Sequence, residues 1–475
     1  MVYLYLLATL LFVFGIKRLA SVKTCQSGNR LSEIGMGIAV LTIVLVMAGN
    51  GTIKVNWVVI VAGILVGGGI GAVIAKRTAT TQMPEMVAAL NGFGGVASAL
   101  VAMADMLINP ALAQEGVGIG DLGVVPAIAS PATIIVGMVT LTGSFVAYGK
   151  LSGKKLTHPL SGSARHMLHA ALGLVAIAIS TWLVMTGSHT AMTFAVVLLA
   201  LVASVLGVFL VMPIGGADMP VVVSLLNSYS GVAGAFAGFV IYKDQPGTGA
   251  LLVVVGAMVG ASGLILTQIM CKAMNRSLGN VLLGGMGEET VAKDAKDYKS
   301  IKSAGPEEIA MLLDGASSVV FVPGYGLAVA QAQHIVRELA DLLAKRGANV
   351  RYAIHPVAGR MPGHMNVLLA ESDVPYEQLW EMDKINGDFK NTDVVIVVGA
   401  NDVVNPAARE SSGPIAGMPI LDVDQARTVV VIKRSLAPGY AGIKNPLFEL
   451  ENTLMVFLDA KEALEGIVKE VKELK

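Results

Sequence analysis

The chain has 475 residues, of which 54% are hydrophobic and only 14% are charged. This much apolar side chain is typical of a membrane protein and exceeds what a soluble protein of this size needs. The formal net charge is zero and there are two cysteines, so composition supports neither a nucleic-acid partner, nor a disulfide framework, nor a four-cysteine iron–sulfur cluster.

Apolar runs long enough to span or nearly span a bilayer fill the first part of the chain. They lie at about residues 2–16, 34–49, 55–75, 83–106, 128–148, 168–186, 191–212, 219–242 and 250–271. Lysine and arginine concentrate in the first, third and fifth connections, for example Lys17, Lys76 and Lys150. The positive-inside rule then places the N-terminus outside and the C-terminal part in the cytoplasm. Residues 1–271 are therefore predicted to form a membrane all-α helical bundle of about nine transmembrane helices.

The remainder of the chain changes in pattern. Residues 272–310 carry mixed charge without a sustained period, which predicts a flexible or helical linker. From residue 311 to 475, β-branched runs alternate with amphipathic segments. Buried parallel strands are predicted at 317–322, 349–354, 393–398, 428–432 and 454–458, and helices at 326–345 and 460–474. The sequence therefore predicts a soluble α/β doubly wound, Rossmann-like domain.

Two of the apolar runs share a motif. Residues 83–99 and 219–235 are identical at nine of 17 positions, at a constant offset of 136. Each contains an asparagine, Asn91 or Asn227. These amides either bond a neighbouring helix in a duplicated packing motif or line a polar path across the membrane, because polar groups are costly at that depth. Asp218, just before the second copy, is either a helix N-cap or part of a gate that touches the soluble domain.

A glycine-rich turn follows the first predicted strand. Gly324 and Gly326 lie between that strand and a predicted helix, which is the context of a dinucleotide-binding turn. Glycines allow the tight turn, and backbone N–H groups at a helix start can hold a pyrophosphate. Val329 stands where the third glycine of the usual pattern would be, so the match alone is of moderate specificity.

The ends of two other strands indicate which nucleotide is bound. An NAD site usually has an acidic residue after its second strand, but this chain has His355 there. Lys433, Arg434 and Ser435 follow the fifth predicted strand, and two cations with a hydroxyl suit a 2′-phosphate. The alternative is a solvated basic turn.

Further loops are predicted at the same edge of the sheet. The loop that begins at His355 has little apolar content, and Gly439–Gly442 is interpreted as a flexible flap. Asp402 would face the ligand crevice or stabilise a turn with its side chain. The sequence shows no Ser-His-Asp set and no metal cluster, so no metal is predicted and the chemistry must come from a cofactor.

Together these motifs resemble the β subunit of the proton-translocating NAD(P) transhydrogenases of bacteria, over nearly the whole chain. The resemblance rests on PGYGLAVAQAQ from Pro323, HPVAGRMPGHMNVLLAE from His355, GANDVVNPAA from Gly399, KRS and GYAG from Lys433, and IGGADMP from Ile214. It implies an inner-membrane protein that binds NADP(H) in an orientation flipped relative to ordinary Rossmann sites. NAD(H) would be held by a separate α subunit with further membrane helices, in a complex that is itself dimeric.

The resemblance also implies roles for residues. Hydride would pass directly from NADH to NADP⁺ while a proton enters the cytoplasm, with Tyr440 in a lid and Asp402 beside the nicotinamide. The candidate cofactor-binding residues are Gly324, Tyr325, Gly326, Leu327, Ala328, Val329, His355, Ala358, Gly359, Arg360, Gly399, Ala400, Asn401, Asp402, Lys433, Arg434, Ser435, Gly439, Tyr440 and Ala441. The candidates for the coupled chemistry are Asn91, Asp218, Asn227 and Asp402.

One departure from the family and two rival functions bear on this prediction. Some members carry a histidine where this chain has Asn91. Asparagine does not titrate, so we predict that a helix of a partner subunit supplies the titrating group.

A transporter or channel gated by an NADP(H)-sensing domain is the alternative function. A quinone-linked NADPH dehydrogenase would need a flavin or an iron–sulfur site.

Overall fold

The computed structural model describes residues 2–19, 24–49, 56–112, 114–154, 156, 158–160, 162–282, 298–439 and 441–474. The chain divides into two compact units, of which each is made from two segments. The first is Met1–Ile214 with Val222–Leu266, and the second is Gly215–Val221 with Thr267–Lys475.

Within the described residues, nine helices are long and apolar enough to cross a membrane, which confirms the predicted number. They are α1 (Val2–Leu19), α2 (Cys25–Gly49), α3 (Trp57–Arg77), α4 (Met83–Ile108), α5 (Val124–Leu151), α6 (Gly162–Met185), α7 (His189–Val211), α8 (Met219–Ile241) and α9 (Pro246–Ala273). Most of these helices extend beyond the apolar runs, because the polar residues that flank a run continue its helix. α2, for example, begins at Cys25, although its apolar run begins near residue 34.

Glycines set the distance between α4 and α5. A Cβ atom on Gly95 would lie 2.7 Å from the Gly137 carbonyl oxygen, and one on Gly92 would lie 3.0 Å from Ser144 Cβ. A larger residue would push the helices apart, so the glycines allow backbone contact of the kind that stabilises membrane helix pairs.

The second unit contains a sheet of six parallel strands in the order β3-β2-β1-β4-β5-β6. The strands are β1 (Ser318–Pro323), β2 (Asn349–Ile354), β3 (Leu379–Glu381), β4 (Val394–Val398), β5 (Thr428–Ile432) and β6 (Thr453–Val456). This is a doubly wound order, which reverses between β1 and β4. The Rossmann-like prediction is therefore confirmed, although β3 was missed because three residues carry too short a pattern.

Helices cover the sheet, and alternate residues of β1 face opposite sides of it. Val319 and Phe321 pack in one hydrophobic core, and Val320 and Val322 pack in the other.

The helices of the second unit after α9 are α10 (Leu278–Leu282), α11 (Pro306–Asp314), α12 (Tyr325–Val329), α13 (Gln333–Lys345), α14 (His364–Glu371), α15 (Met382–Ile385) and α16 (Ala460–Glu473). Short 3-10 turns lie at Thr80–Gln82, Ile119–Leu122, Gly216–Asp218, Tyr376–Gln378, Asn386–Asn391, Asp402–Val404, Pro406–Arg409, Val423–Gln425 and Pro446–Glu449.

The single helix predicted over residues 326–345 was wrong, because α12 and α13 are separate. Gln331 lies between them with a φ of +49°, a left-handed conformation that ends a helix. The N–H of Ala332 donates back to the carbonyl of Leu327 at 3.2 Å, so the chain turns before α13 begins. Alanines on both sides favour helix, and only the tertiary structure explains the break.

The predicted linker, residues 272–310, contains α10 and the beginning of α11, and its described C-terminal part packs on the sheet. The N–H of Ala304 donates to the Met455 carbonyl at 2.9 Å, and the N–H of Met455 donates to the Lys302 carbonyl at 2.8 Å. Ile309 and Leu313 of α11 are buried in the hydrophobic core. Residues 283–297, the centre of the predicted linker, lie outside the described residues.

Candidate functional site

A cavity of about 600 Å³ lies in the second unit, among the loops that follow β1, β2, β4, β5 and β6. This is the edge at which doubly wound sheets bind ligands, and the volume is that of a small-molecule site. The candidate residues that line it are Gly324, Tyr325, Gly326, Val329, Ala358, Gly359, Gly399, Ala400, Asn401, Asp402, Lys433, Arg434, Ser435, Gly439 and Ala441. Most of the residues chosen from sequence are therefore brought together in one place.

The other candidates lie elsewhere. Leu327 and Ala328 are fully buried, with their side chains in the hydrophobic core that supports the cavity. His355 is buried behind the loop after β2, where its Nε2 lies 2.9 Å from the Pro419 carbonyl oxygen. Tyr440 lies outside the described residues.

The glycines of the turn after β1 are required by a contact with the loop after β4. A Cβ on Gly326 would lie 2.6 Å from Gly399 Cα, and Gly399 itself has a φ of +65°, which favours glycine. The N–H of Gly324 donates to the Val398 carbonyl and that of Gly326 to the Gly399 carbonyl, both at 2.9 Å. These two N–H groups, which we expected to face a pyrophosphate, are thus engaged within the protein.

Asp402 holds the loop that begins at Gly439. Its Oδ2 accepts a hydrogen bond from the N–H of Ala441 at 3.0 Å, and a Cβ on Gly439 would lie 2.4 Å from Oδ1. Asp402 also lines the cavity. The carboxylate of Asp402 therefore borders the cavity and also contacts residues of the loop that begins at Gly439.

The basic residues after β5 differ in exposure. Lys433 is half-buried; burial lowers the pKa of its ammonium, and the carboxylate of Asp402 opposes that shift. Its Nζ donates to the Ala437 carbonyl and lies 5.8 Å from the centre of the Phe448 ring. Arg434 and Ser435 are exposed at the edge of the cavity. The arrangement offers an anion two cations, one partly desolvated and one in water.

Arg360 is positioned by two aromatic residues of the same region. Its guanidinium carbon lies 4.2 Å from the centre of the Tyr325 ring, and the backbone N–H of Arg360 donates to His364 Nδ1 at 3.0 Å. His364 is fully buried, and burial lowers its pKa to about 4, with Arg360 adding to the shift, so the ring is a neutral acceptor. Sequence analysis missed this role. The one sign in the sequence is the glycine at position 359, where the structure has a φ of +105° and a Cβ would lie 2.5 Å from His364 Nδ1.

An ion pair at the start of α8 was also missed. Asp218 is 2% exposed, and its Oδ2 lies 3.1 Å from Nη1 of Arg276, a residue that lines the cavity. Burial raises the pKa of the Asp218 carboxyl, and Arg276 opposes that shift. In the sequence, Arg276 is a single basic residue shortly after the last apolar run, and nothing there pairs it with Asp218.

Asn91 of the first repeat contacts the backbone of the second repeat helix in the first unit. Asn91 is buried, and its Nδ2 donates to the carbonyl of Val223 at 3.1 Å. Asn227 lies four residues after Val223 on α8, so the same carbonyl is the helical acceptor for the Asn227 N–H. The contact of Asn91 agrees with the packing interpretation and places Asn227 within a helical turn of it.

Comparison with known proteins identifies the family. A family model described as NAD(P) transhydrogenase beta subunit matches residues 1–470. This chain belongs to that family. Two Rhodospirillum rubrum proteins, both described as NAD(P) transhydrogenase subunit beta, are 47% identical to it over 472 residues. The match covers 98% of this chain and 97% of each relative, so the membrane helices and the α/β domain both belong to the shared protein.

Family membership implies a nicotinamide nucleotide and an alpha subunit as partner. The cavity of this chain fits such a nucleotide. It has the volume of a ligand site, Lys433 and Arg434 bring positive charge to its edge, and His355 follows β2.

Proposed function

We propose that this chain binds NADP(H) and accepts hydride from NADH held on a partner alpha subunit, which forms NADPH, and that this transfer is coupled to inward movement of a proton. The observation that carries the proposal is the position of Lys433, Arg434 and Ser435 at the edge of the cavity, at the end of β5. A 2′-phosphate distinguishes NADP(H) from NAD(H), and two cations with a hydroxyl suit it.

The chain's own residues would bind and orient the nucleotide. NADP(H), when bound, supplies the hydride chemistry, so the protein needs no nucleophile or metal of its own. The turn at Gly324 and the loop around Arg360 would border the pyrophosphate half, with the N–H groups of Gly324 and Gly326 engaged within the protein. Asn401 and Asp402 would border the nicotinamide half. The loop from Gly439 to Ala441 would exclude water, since Asp402 already fastens it beside the cavity.

Coupling would operate through binding, because hydride transfer between two nicotinamides has little driving force of its own. A proton gradient can then act only by favouring a state that holds NADP⁺ and NADPH unequally. The Asp218–Arg276 ion pair supports such a connection, since Asp218 directly precedes α8 and Arg276 lines the cavity. Protonation of Asp218 would remove the partner of the Arg276 guanidinium, which would then be available to an anion in the cavity.

The basic residues at helix ends support the proposed orientation. Basic residues occupy the last turns of α1, α3, α5 and α9, namely Lys17, Arg18, Lys76, Arg77, Lys150 and Lys272. The positive-inside rule places these ends in the cytoplasm, with the N-terminus outside. The α/β domain would then lie in the cytoplasm, attached to the bacterial inner membrane, with an alpha subunit supplying the NAD(H) domain and further membrane helices. We further propose that the whole complex, this chain with its alpha subunit, forms a dimer.

The test is reconstitution of this chain with its alpha subunit in closed lipid vesicles. We expect NADPH to form from NADH and NADP⁺ while the interior pH changes, and an imposed proton gradient to change the rate of hydride transfer. Ion flux that responds to NADP(H) without any hydride transfer would instead support a gated transporter or channel. Flavin absorbance in the purified complex would support a quinone-linked dehydrogenase.

A further inference from the structure

Residues 298–304, called here the linker end, are fixed to the part of the α/β domain that carries β6. The N–H of Lys299 donates to Oε1 of Glu449 at 2.6 Å, and Ser303 pairs with Met455 in a parallel bridge at the edge of the sheet. Along the chain, the linker end comes between α10 and the rest of the domain. It is therefore the place at which the connection from the membrane helices joins the domain that contains the cavity.

The aromatic ring of Tyr298, the first residue of the linker end, lies in a cluster of rings and ammonium groups. It stacks on the Phe448 ring with the two centres 6.0 Å apart, and Lys444 Nζ lies 4.9 Å from its own centre. Phe448 is fully buried, and Lys433 Nζ lies 5.8 Å from the centre of its ring. Cations are attracted to the faces of aromatic rings. Tyr298 thus packs on the ring that lies beside the cation proposed for the 2′-phosphate.

The hydroxyl group of Tyr298 takes part in a chain of hydrogen bonds that ends at the cavity. It accepts a hydrogen bond from the backbone N–H of Asn445 at 3.0 Å. Asn445 is fully buried, and its Oδ1 accepts from the N–H of Leu447 at 3.0 Å. Its Nδ2 donates to Asn401, at 3.2 Å to the carbonyl oxygen and at 2.9 Å to Oδ1. Buried polar groups bonded in this way hold one another in place, so Asn401 depends on Tyr298 through Asn445.

The position of Asn401 decides which part of a nucleotide this chain of hydrogen bonds would affect. Asn401 lines the cavity and directly precedes Asp402, where the proposed function has the nicotinamide half. NADP⁺ and NADPH differ only in the nicotinamide ring, which carries a positive charge in the oxidised form. A change at Asn401 therefore acts where the two nucleotides differ, whereas a change at Lys433 acts on a phosphate that both of them carry.

We propose that Tyr298 is a positioning residue whose hydroxyl group, by holding Asn401 through Asn445, sets the relative affinity of the cavity for NADP⁺ and NADPH. Without that hydroxyl group Asn401 would be correctly placed in only a fraction of the molecules, and the affinity of a nucleotide that needs it would fall by that fraction. The inference rests on the proposed function and gives the linker end a part in the unequal binding that coupling requires. A displacement of the linker would reach the nicotinamide half through these direct contacts.

The experiment is calorimetry on the detergent-solubilised complex of this chain with its alpha subunit, titrated with NADP⁺, with NADPH and with 2′,5′-ADP, which has the 2′-phosphate but no nicotinamide. Tyr298→Phe keeps the ring and removes the acceptor for Asn445. We expect it to change the ratio of the NADP⁺ and NADPH dissociation constants by about threefold or more, as the loss of one hydrogen bond can, and that of 2′,5′-ADP by less than about twofold. Tyr298→Leu also removes the stacking on Phe448, so it should weaken 2′,5′-ADP binding as well.

The matched control is Lys302→Ala in the same linker end. Lys302 Nζ donates to the Glu451 carbonyl at 2.7 Å, which is a bond that fastens the linker end without involving Asn445, so all three ligands should bind as they do to the unmodified complex. An unchanged NADP⁺ to NADPH ratio in Tyr298→Phe would overturn the inference, and so would an equal loss for all three ligands or the same change of ratio in Lys302→Ala. Failure of the unmodified complex to bind either NADP⁺ or NADPH would instead refute the proposed function.

Discussion

The binding preference of the cavity can be tested by removing the basic residues after β5. Lys433 is half-buried, so a hydrogen bond from its ammonium to phosphate should contribute about 1.5–3 kcal/mol, as charged pairs do. Lys433→Ala should therefore weaken NADP(H) binding by roughly 10- to 150-fold. Arg434 is exposed, and Arg434→Ala should cost only about 0.2–1 kcal/mol, or roughly 1.4- to fivefold.

The assay is isothermal titration calorimetry of NADP(H) and NAD(H) on the detergent-solubilised chain. NAD(H) lacks the 2′-phosphate, so its affinity should change by less than about twofold in both variants. Arg427→Ala is a matched control, because Arg427 precedes β5 at the opposite edge of the sheet and its side chain is 82% exposed. Equal losses for NADP(H) and NAD(H) in Lys433→Ala would refute the assignment of the 2′-phosphate site. An equal loss in Arg427→Ala would show that the effect arises from the fold.

Three other predictions concern the loops, the buried histidines and the ion pair. Gly326→Ala should lower the free energy of unfolding of the α/β domain by about 1–3 kcal/mol in chemical denaturation, because its Cβ would overlap Gly399. The domain should also lose stability as pH falls from 6.5 towards 4, by up to about 3 kcal/mol for each of His355 and His364, because burial lowers the pKa of both from 6.5 to about 4 and only the unfolded chain takes up a proton in that window. Asp218→Asn should change NADP(H) affinity and reduce coupled transfer by about tenfold or more, measured in vesicles, because Arg276 loses its charged partner.

Each of these has its own control. Gly387→Ala adds a methyl group where nothing lies within 4 Å, so an equal loss of stability there would contradict the contact argument for Gly326. His355→Gln should remove about half of the acid-side loss and leave the part due to His364, and an unchanged pH profile would show that other groups cause it. Unchanged nucleotide affinity and unchanged coupling in Asp218→Asn would remove the ion pair from the coupling proposal. The stability measurements suit a fragment of residues 298–475, which includes the segment that packs on β6.

Local sequence patterns predicted well those helices and strands whose bounds depend only on their own residues. The strands at residues 349–354 and 428–432 match to the residue, and each ends where isoleucine is followed by a histidine or a lysine. The break at Gln331 could not be predicted, since the alanines around it favour a continuous helix and tertiary contacts impose the turn. β3 was missed because an edge strand of three residues carries almost no period.

The sequence predicted which loops form the candidate site, but it did not predict the contacts between residues of those loops and other segments. Glycine turns and a basic triplet are visible along the sequence, and they line one cavity. The pairing of Arg276 with Asp218 joins residues 58 positions apart, and no local pattern marks it. His364 was missed for a different reason: it lies only four residues after Arg360, but no sequence pattern marks a ring that accepts a backbone hydrogen bond. The glycines also serve a different purpose from the expected one, since they allow two loops to touch.

The attachment of the α/β domain's first residues to β6 has a consequence for how the protein is made. Lys302 donates to the carbonyl of Glu451, a residue translated 149 positions later, beside the hydrogen bonds between residues 302–304 and Met455. At about 5–20 residues per second, the ribosome needs on the order of 10 s to supply that strand. All nine apolar helices have left the ribosome by then, so the membrane part is complete before the junction can close. A chain that stops short of β6 loses the anchorage of the domain's beginning as well as its end.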